Sequence, residues 1–245
     1  MKQQMGKILR KLTAVCGYSL DRKPRAILRD RSRELAVTLD LLVAHLLTRQ
    51  DQCIFVQIGA YDGISVDPMH PIIVKYGLQG VLVAPQPDAY AELCQTYAGT
   101  SGLELVNVAV AEQDGTRTLY RIKRRAEIPQ GLHQLATFDR ALLVRQLKMI
   151  GNVQAEIEEI FVPCLMVDQL LKRAGLGRVD LLYIDAEGYD YAIVKQFDVA
   201  NRKPQIIGFE HRWLRSSELN ECVDFLIFHG YKVAVDQQDT LAYRC

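Results

Sequence analysis

The chain has 245 residues, 49% hydrophobic and 24% charged, with a formal net charge of +1. That length and composition suit one soluble α/β domain with a sizeable core. The near-zero charge gives no reason to expect nucleic acid as a partner. The six cysteines (16, 53, 94, 164, 222 and 245) form no Cys-x-x-Cys pair, which speaks against a zinc site or a disulfide framework and for a reducing, cytoplasmic compartment.

No apolar window is long enough for a membrane span, and Met1 to Leu20 lacks the apolar core and cleavage site of a secretory signal. Lys7, Arg10, Lys11, Arg22, Lys23 and Arg25 make a basic arm, read either as a poorly ordered tail or as a weak contact with an anionic surface. Ser32 to Gln50 has helical periodicity, with Leu35, Leu39, Leu42, Val43, Leu46 and Leu47 on one face and Asp30 or Ser32 as its cap. His45 beside that stripe reads as a partly buried structural histidine. Residues 1–50 are therefore expected to precede a domain spanning 51–245.

Ile54 to Ile58 reads as a buried strand, followed by Gly59-Ala-Tyr-Asp-Gly63. A strand entering a glycine turn presents backbone N–H groups to a nucleotide-like ligand, although such glycines also serve plain turns. Pro68 and Pro71 bar a helix directly after the turn, so a loop precedes a short helix ended by Gly77. Val81 to Val83 is a second strand, and Asp88 caps a helix to Tyr97. Leu103 to Val110 reads as one third strand, Asp114-Gly115 as a turn, and Thr116 to Ile122 as an antiparallel return.

Lys123-Arg-Arg125 reads as a solvated loop or an anion contact. Arg140 to Ile150 is a helix stopped by Gly151, and Ile157 to Val162 an edge strand ended by Pro163. A helix follows from Val167 to Ala174. Val179 to Asp185 and Gln205 to Glu210 are buried strands, each followed by a helix: Tyr189 to Phe197, and one capped by Ser216 or Ser217 that ends near His229. The last two strands, Tyr231 to Val235 and Thr240 to Arg244, are too close for a helical crossover and must be antiparallel. Alternating strands and helices predict a mainly parallel sheet closed by an antiparallel C-terminal strand.

Ligands bind beyond the carboxyl ends of such strands. Those ends carry Gly59 to Gly63, then Asp185, Glu187 and Gly188, then Glu210 and His211. Asp185, Glu187 and His211 are candidate general bases. Asp185, Glu187 and Glu210 are candidate oxygen ligands for a divalent metal. Asp185 also suits a helix cap, and His211 a supporting structural role.

Together these residues resemble the FkbM family of S-adenosylmethionine-dependent methyltransferases. The resemblance runs through Val56-Gln-Ile-Gly-Ala-Tyr-Asp-Gly63, Ser65-Val-Asp-Pro68, Pro85-Gln-Pro87, Asn107-Val-Ala109, Ala136-Thr-Phe-Asp139, Ile184-Asp-Ala-Glu-Gly188 and Phe209-Glu-His211. It implies a Rossmann-like class I methyltransferase fold with a seven-stranded sheet and O-methylation of a hydroxyl on a sugar, glycan or secondary metabolite. It also implies cofactor contacts at Gly59, Ala60, Tyr61, Asp62, Gly63 and Ala109, with Asp185 and Glu187 lining the transfer site.

The family's ribose-binding Glu is Ala84 here, which leaves Gln86 or Asp88 to compensate. Gln57 stands where many methyltransferases have an acid, and Tyr61 where the family often has Asn. A charge-assisted hydrogen bond contributes about 1.5–3 kcal/mol, so the change at 84 alone weakens cofactor binding roughly ten- to a hundredfold. Two alternatives follow: a binding module that kept the fold and lost the cofactor, and a nicotinamide-dependent oxidoreductase, against which the glycine spacing argues.

Overall fold

The computed structural model describes residues 35–151 and 154–244. The basic arm and the expected caps Asp30 and Ser32 lie outside them. The helix of the N-terminal region is α1, Leu35–Leu47. Its Leu39, Val43 and Leu46 are buried against the sheet domain, so it belongs to the domain's core and does not stand apart from it. His45 differs from expectation: it is exposed, on the outer face of α1. No helix among the described residues is long and apolar enough to cross a membrane.

The central strand β1 is Ile54–Ile58. After it come α2 (His70–Tyr76), β2 (Gln79–Val83), α3 (Pro87–Thr96) and β3 (Leu103–Val106). The sheet resumes much later with β8 (Leu181–Ile184), α6 (Asp190–Gln196), α7 (Val199–Arg202), β9 (Ile206–Glu210), α8 (Ser216–Phe228), β10 (Lys232–Val235) and β11 (Asp239–Tyr243). Seven strands align in the order β10-β11-β9-β8-β1-β2-β3. All neighbours from β9 to β3 are parallel, and β11 runs antiparallel between β9 and β10, as the short final connection required.

Near-continuous apolar strands are what burial on both faces demands. Val56 and Ile58 point to one layer, with Leu182, Phe209, Ile193 and Leu226. Phe55 points to the other, with Leu39, Ile72 and Leu93. The chain leaves β1 toward β2 and returns on its other side at β8, so β1 is where the strand order reverses. A crevice opens there, beyond the carboxyl ends of the strands.

The expected third strand divides. Its second part, β4 (Ala109–Val110), joins another sheet of order β4-β7-β5-β6, with β5 at Gly115–Ile122, β6 at Ala136–Thr137 and β7 at Ile157–Leu165. The break falls at Asn107, whose Nδ2 donates to the Ala84 carbonyl at 2.7 Å and ties the switch point to the end of β2. The return strand forms, but it pairs antiparallel with β7 along its whole length, from Gly115↔Cys164 to Ile122↔Ile157. β7 also runs through Pro163 instead of ending before it. Pro163 pairs with β5 on one side, while β4 begins only at Cys164 on the other, so the missing N–H breaks no ladder there.

Between β6 and β7 lies α4 (Arg140–Ile150). The Asp139 carboxylate accepts from the N–H groups of Ala141 and Leu142, and Gly151 closes the helix in the left-handed region. α5 (Val167–Arg173) then leads into β8. The helix α8 begins without a serine cap: Glu218 accepts the Arg215 N–H at 2.9 Å, and Ser216 is already helical.

Candidate active site

The crevice is a cavity of about 410 Å³. It crosses β1, from the ends of β2 and β4 on one side to the ends of β8 and β9 on the other. Gly59, Ala60, Tyr61, Ala84, Gln86, Ala109, Asp185, Glu187 and Glu210 all line it, so most of the expected site residues meet in one place. Leu135, Thr137 and Phe138 reach it from the second sheet, and Ser65 to Pro68 from the loop after β1. Gln134 Nε2 donates to the Ser65 carbonyl at 2.7 Å and joins these two covering segments.

The glycine turn divides by role. Gly59 N and Ala60 N both donate to the Val83 carbonyl at 2.9 Å, which pins the turn to β2. Tyr61 takes φ +47 and lines the cavity. Asp62 and Gly63 stand behind the wall. The Asp62 carboxylate accepts from Ile64 N, Ser65 N and the Ser65 hydroxyl, so it shapes the loop. A β-carbon on Gly63 would meet Leu93 and Tyr97, so this glycine serves packing on α3.

At the β2 end the cavity wall is neutral. Gln86 is buried, and its Oε1 accepts from Arg121 Nη1 at 3.3 Å. Asp88 is not part of the lining. Its carboxylate is ion-paired with Arg121 at 2.6 Å and Arg124 at 3.0 Å. The basic cluster 123–125 is a loop whose charges are paired: Lys123 and Arg125 are solvent-facing and pair with Glu156, while the half-buried Arg124 pairs with Asp88 and Glu92. Arg124 Nη2 also donates to Tyr61 Oη at 2.8 Å, so a residue beyond β5 holds a ring of the first turn.

The opposite end is acidic. Asp185, Glu187 and Glu210 offer oxygens that all lie within 4.8 Å of one another. Burial pushes the Asp185 carboxyl up to about 7, helped by Asp239 and Asp67. Burial drives Glu187 well above the usual carboxylate range, with Asp185 and Asp190 adding repulsion. Burial, then the charges of Asp185 and Glu187, raise Glu210 to about 11. An acid whose pKa sits near neutrality suits proton acceptance, and one that keeps its proton suits hydrogen-bond donation.

Glu187 sits at φ +49, in a turn shaped by fully buried Asp190, which accepts from Ala186 N and Gly188 N at 3.2 Å each. The helix cap that was open for Asp185 is not made: the N-cap position of α6 is Tyr189, with no side-chain capping bond.

His211 does not reach the cavity wall. It follows Glu210 at the end of β9, and strand alternation turns it to the β11 seam, where its Nδ1 lies 2.9 Å from Thr240 Oγ1. Trp213 and Tyr189 line the cavity without having been read as site residues, and Phe138 was read only within the Ala136–Asp139 motif. Phe138 and Tyr189 meet edge to face at 5.4 Å, with the Arg117 guanidinium over Phe138. Gln146, just behind the wall, was also missed, although a glutamine among Leu142, Leu143 and Leu147 on the buried face of α4 is a visible anomaly.

The sequence profile described as the Methyltransferase FkbM domain matches residues 57–233. Among solved structures, the chain is similar to methyltransferase FkbM from Methylobacillus flagellatus KT, at 13% identity and a TM-score of 0.50. That match covers 79% of this chain and 44% of the other, so this chain spans less than half the length of that relative. The N-terminal domain of human METTL16 in complex with SAH aligns at 11% identity and a TM-score of 0.46, covering 96% and 80% of the two chains. Precorrin-6y C5,15-methyltransferase from Geobacter metallireducens GS-15 aligns at 14% identity and a TM-score of 0.43, covering 94% and 97%. No curated protein sequence matches significantly.

Proposed function

Since the chain belongs to the FkbM methyltransferase domain family, we propose that it is an S-adenosylmethionine-dependent O-methyltransferase acting on a hydroxyl of a sugar, glycan or secondary metabolite. The observation that carries this reading is the junction of two strand ends: the Gly59 turn and the Asp185–Glu187 carboxylates open into one cavity. The family match leaves no support for the nicotinamide alternative.

The residues present fit the cofactor. A cavity of about 410 Å³ is within the usual range for small ligands, roughly 300–1,000 Å³. Ala84, Pro85, Val108 and Ala109 give a mostly apolar wall for a nucleoside. Gln57 is buried, and its Oε1 has no partner among the described residues, an acceptor suited to the ammonium of a methionine moiety. The sulfonium supplies an already activated methyl, so the protein's task is mainly alignment and proton removal.

Asp185 takes the proton from the acceptor hydroxyl as that oxygen bonds to the methyl carbon, and the carbon–sulfur bond breaks to leave a neutral thioether. While no cation is bound, Glu210 is held in its protonated form by burial and by its acidic neighbours, and it donates a hydrogen bond to the acceptor and orients it. Phe138, Tyr189 and Trp213 exclude water and supply faces on which a sugar ring or an aromatic metabolite packs.

Calorimetry with S-adenosylhomocysteine tests cofactor use directly: saturable binding is expected. No binding at millimolar ligand would leave a scaffold that has lost its cofactor, the reading that Ala84 motivates. Asp185→Asn is expected to bind S-adenosylhomocysteine and melt like the native protein while transfer to a hydroxyl acceptor is abolished. Full activity in that variant would remove Asp185 from the chemistry.

A further inference from the structure

The acidic end of the cavity has an excess of acceptors. Gln146 has no exposed surface, and its Nε2 donates to Glu187 Oε2 at 2.7 Å. The other atom of that amide, Oε1, is buried without a hydrogen-bond partner, and so is Glu210 Oε2. Each orphaned buried acceptor costs about 1–3 kcal/mol. The arrangement is unfavourable alone and becomes favourable when something positive sits beside Glu210, which lines the cavity, with Gln146 held behind it against Glu187.

Their spacing says what kind of positive group fits. The oxygens of Asp185, Glu187 and Glu210 lie within 4.8 Å of one another. Oxygens bound to one Mg²⁺ or Ca²⁺ at about 2.0–2.6 Å are at most roughly 4–5 Å apart. The cation at this end is Arg212, whose charge acts on Glu187 without offsetting its burial, and whose guanidinium stacks over Trp213 at 4.5 Å and donates to Gln238 Oε1 at 3.4 Å. The site also has no thiol or imidazole in its donor set, which suits a hard cation.

We propose that Asp185, Glu187 and Glu210 bind a hard divalent cation of the Mg²⁺ or Mn²⁺ class at the acceptor end of the cavity, with Gln146 positioning Glu187. The inference rests on the methyltransferase reading for its role: a bound cation draws in the acceptor oxygen, lowers the cost of losing its proton and holds it for in-line attack. Gln146 acts through Glu187 and is a positioning residue.

The test uses the full chain stripped with EDTA and titrated with Mn²⁺, followed by electron paramagnetic resonance. One Mn²⁺ per chain, displaced by Mg²⁺, is expected. Glu187→Gln and Glu210→Gln should each weaken Mn²⁺ binding at least about tenfold, and Gln146→Met roughly tenfold, as loss of a group that orients a ligand does. Glu221→Gln, an exposed acid on α8, should change nothing. Circular dichroism melts check that the variants fold, and the wild-type stoichiometry stands without them. If wild type binds Mn²⁺ no better than the Glu187→Gln, Glu210→Gln double variant, the site is overturned. Calorimetry with S-adenosylhomocysteine in EDTA separates the two readings. Cofactor binding without Mn²⁺ binding overturns the cation site and leaves the methyltransferase; Mn²⁺ binding without cofactor binding does the reverse.

Discussion

Gly59 and Asp185 are in backbone contact: a β-carbon on Gly59 would lie 1.8 Å from the Asp185 carbonyl oxygen. The first turn and the Asp185 end of β8 are therefore placed by one another. Gly59 also has φ +91, a conformation other residues rarely adopt. Gly59→Ala should lose about 3 kcal/mol or more, lowering the melting temperature by roughly 6–12 °C in a chain of this size. Thermal melts of the two proteins check this, and an unchanged melting temperature in the variant would refute it.

Ala84 leaves the β2 end of the cavity without a carboxylate. Asp88 is no substitute, because Arg121 and Arg124 hold it outside the lining. Ala84→Glu should tighten S-adenosylhomocysteine binding about ten- to a hundredfold. Unchanged affinity in calorimetry would place the ribose contact on another group, with Gln86 the nearest in sequence.

Arg124 reaches from the second sheet to Tyr61 and holds α3 at Glu92 in the same grip. A double-mutant cycle of Tyr61→Phe and Arg124→Met should show a coupling of about 0.5–1.5 kcal/mol in cofactor binding. Additive effects would show that the hydrogen bond contributes nothing to the turn.

Asp88 gives a pH signature of stability. Burial raises its pKa, but the hydrogen bond and charge of Arg121 and the charge of Arg124 outweigh this, and the folded value is depressed. The stabilisation is then present above the unfolded carboxylate value near 4 and lost as pH falls through the lower folded value. Asp88→Asn should cost about 1 kcal/mol at pH 7, a modest figure because the group is partly exposed. The cost should shrink toward pH 3. Urea melts of both proteins at the two pH values decide it: an equal cost at both would remove ionisation as the cause.

The main sheet was legible because its strands are apolar runs that end abruptly in polar residues. The run from Val179 ends at Asp185, and the run before Glu210 ends there, so strand and site share one signal. Asp139 and Gly151 likewise bracket α4. The second sheet was not legible, because Leu103 to Val110 carries no glycine or proline to mark its division. The break comes from a side chain bonding across the fold, Asn107 to Ala84. Pro163 misled for a similar reason, since its tolerance depends on which neighbour strand has started. Within the glycine turn, Asp62 and Gly63 look no different in sequence from Ala60 and Tyr61. Only the packing of α3 behind them separates wall from scaffold. The partnership of Tyr61 with Arg124 spans 63 residues and has no local trace.

The sheet switch at Asn107 divides the labour of the cavity. One side grows out of the main sheet. Leu135, Thr137 and Phe138 come from a segment with small cores of its own: Leu119 with Val162, and Ile122 with Leu143 and Leu147. Such a segment is a cassette. Its packing is local, so changes to its outward loops are expected to reshape that wall of the cavity while leaving the junction of Gly59 with Asp185 in place.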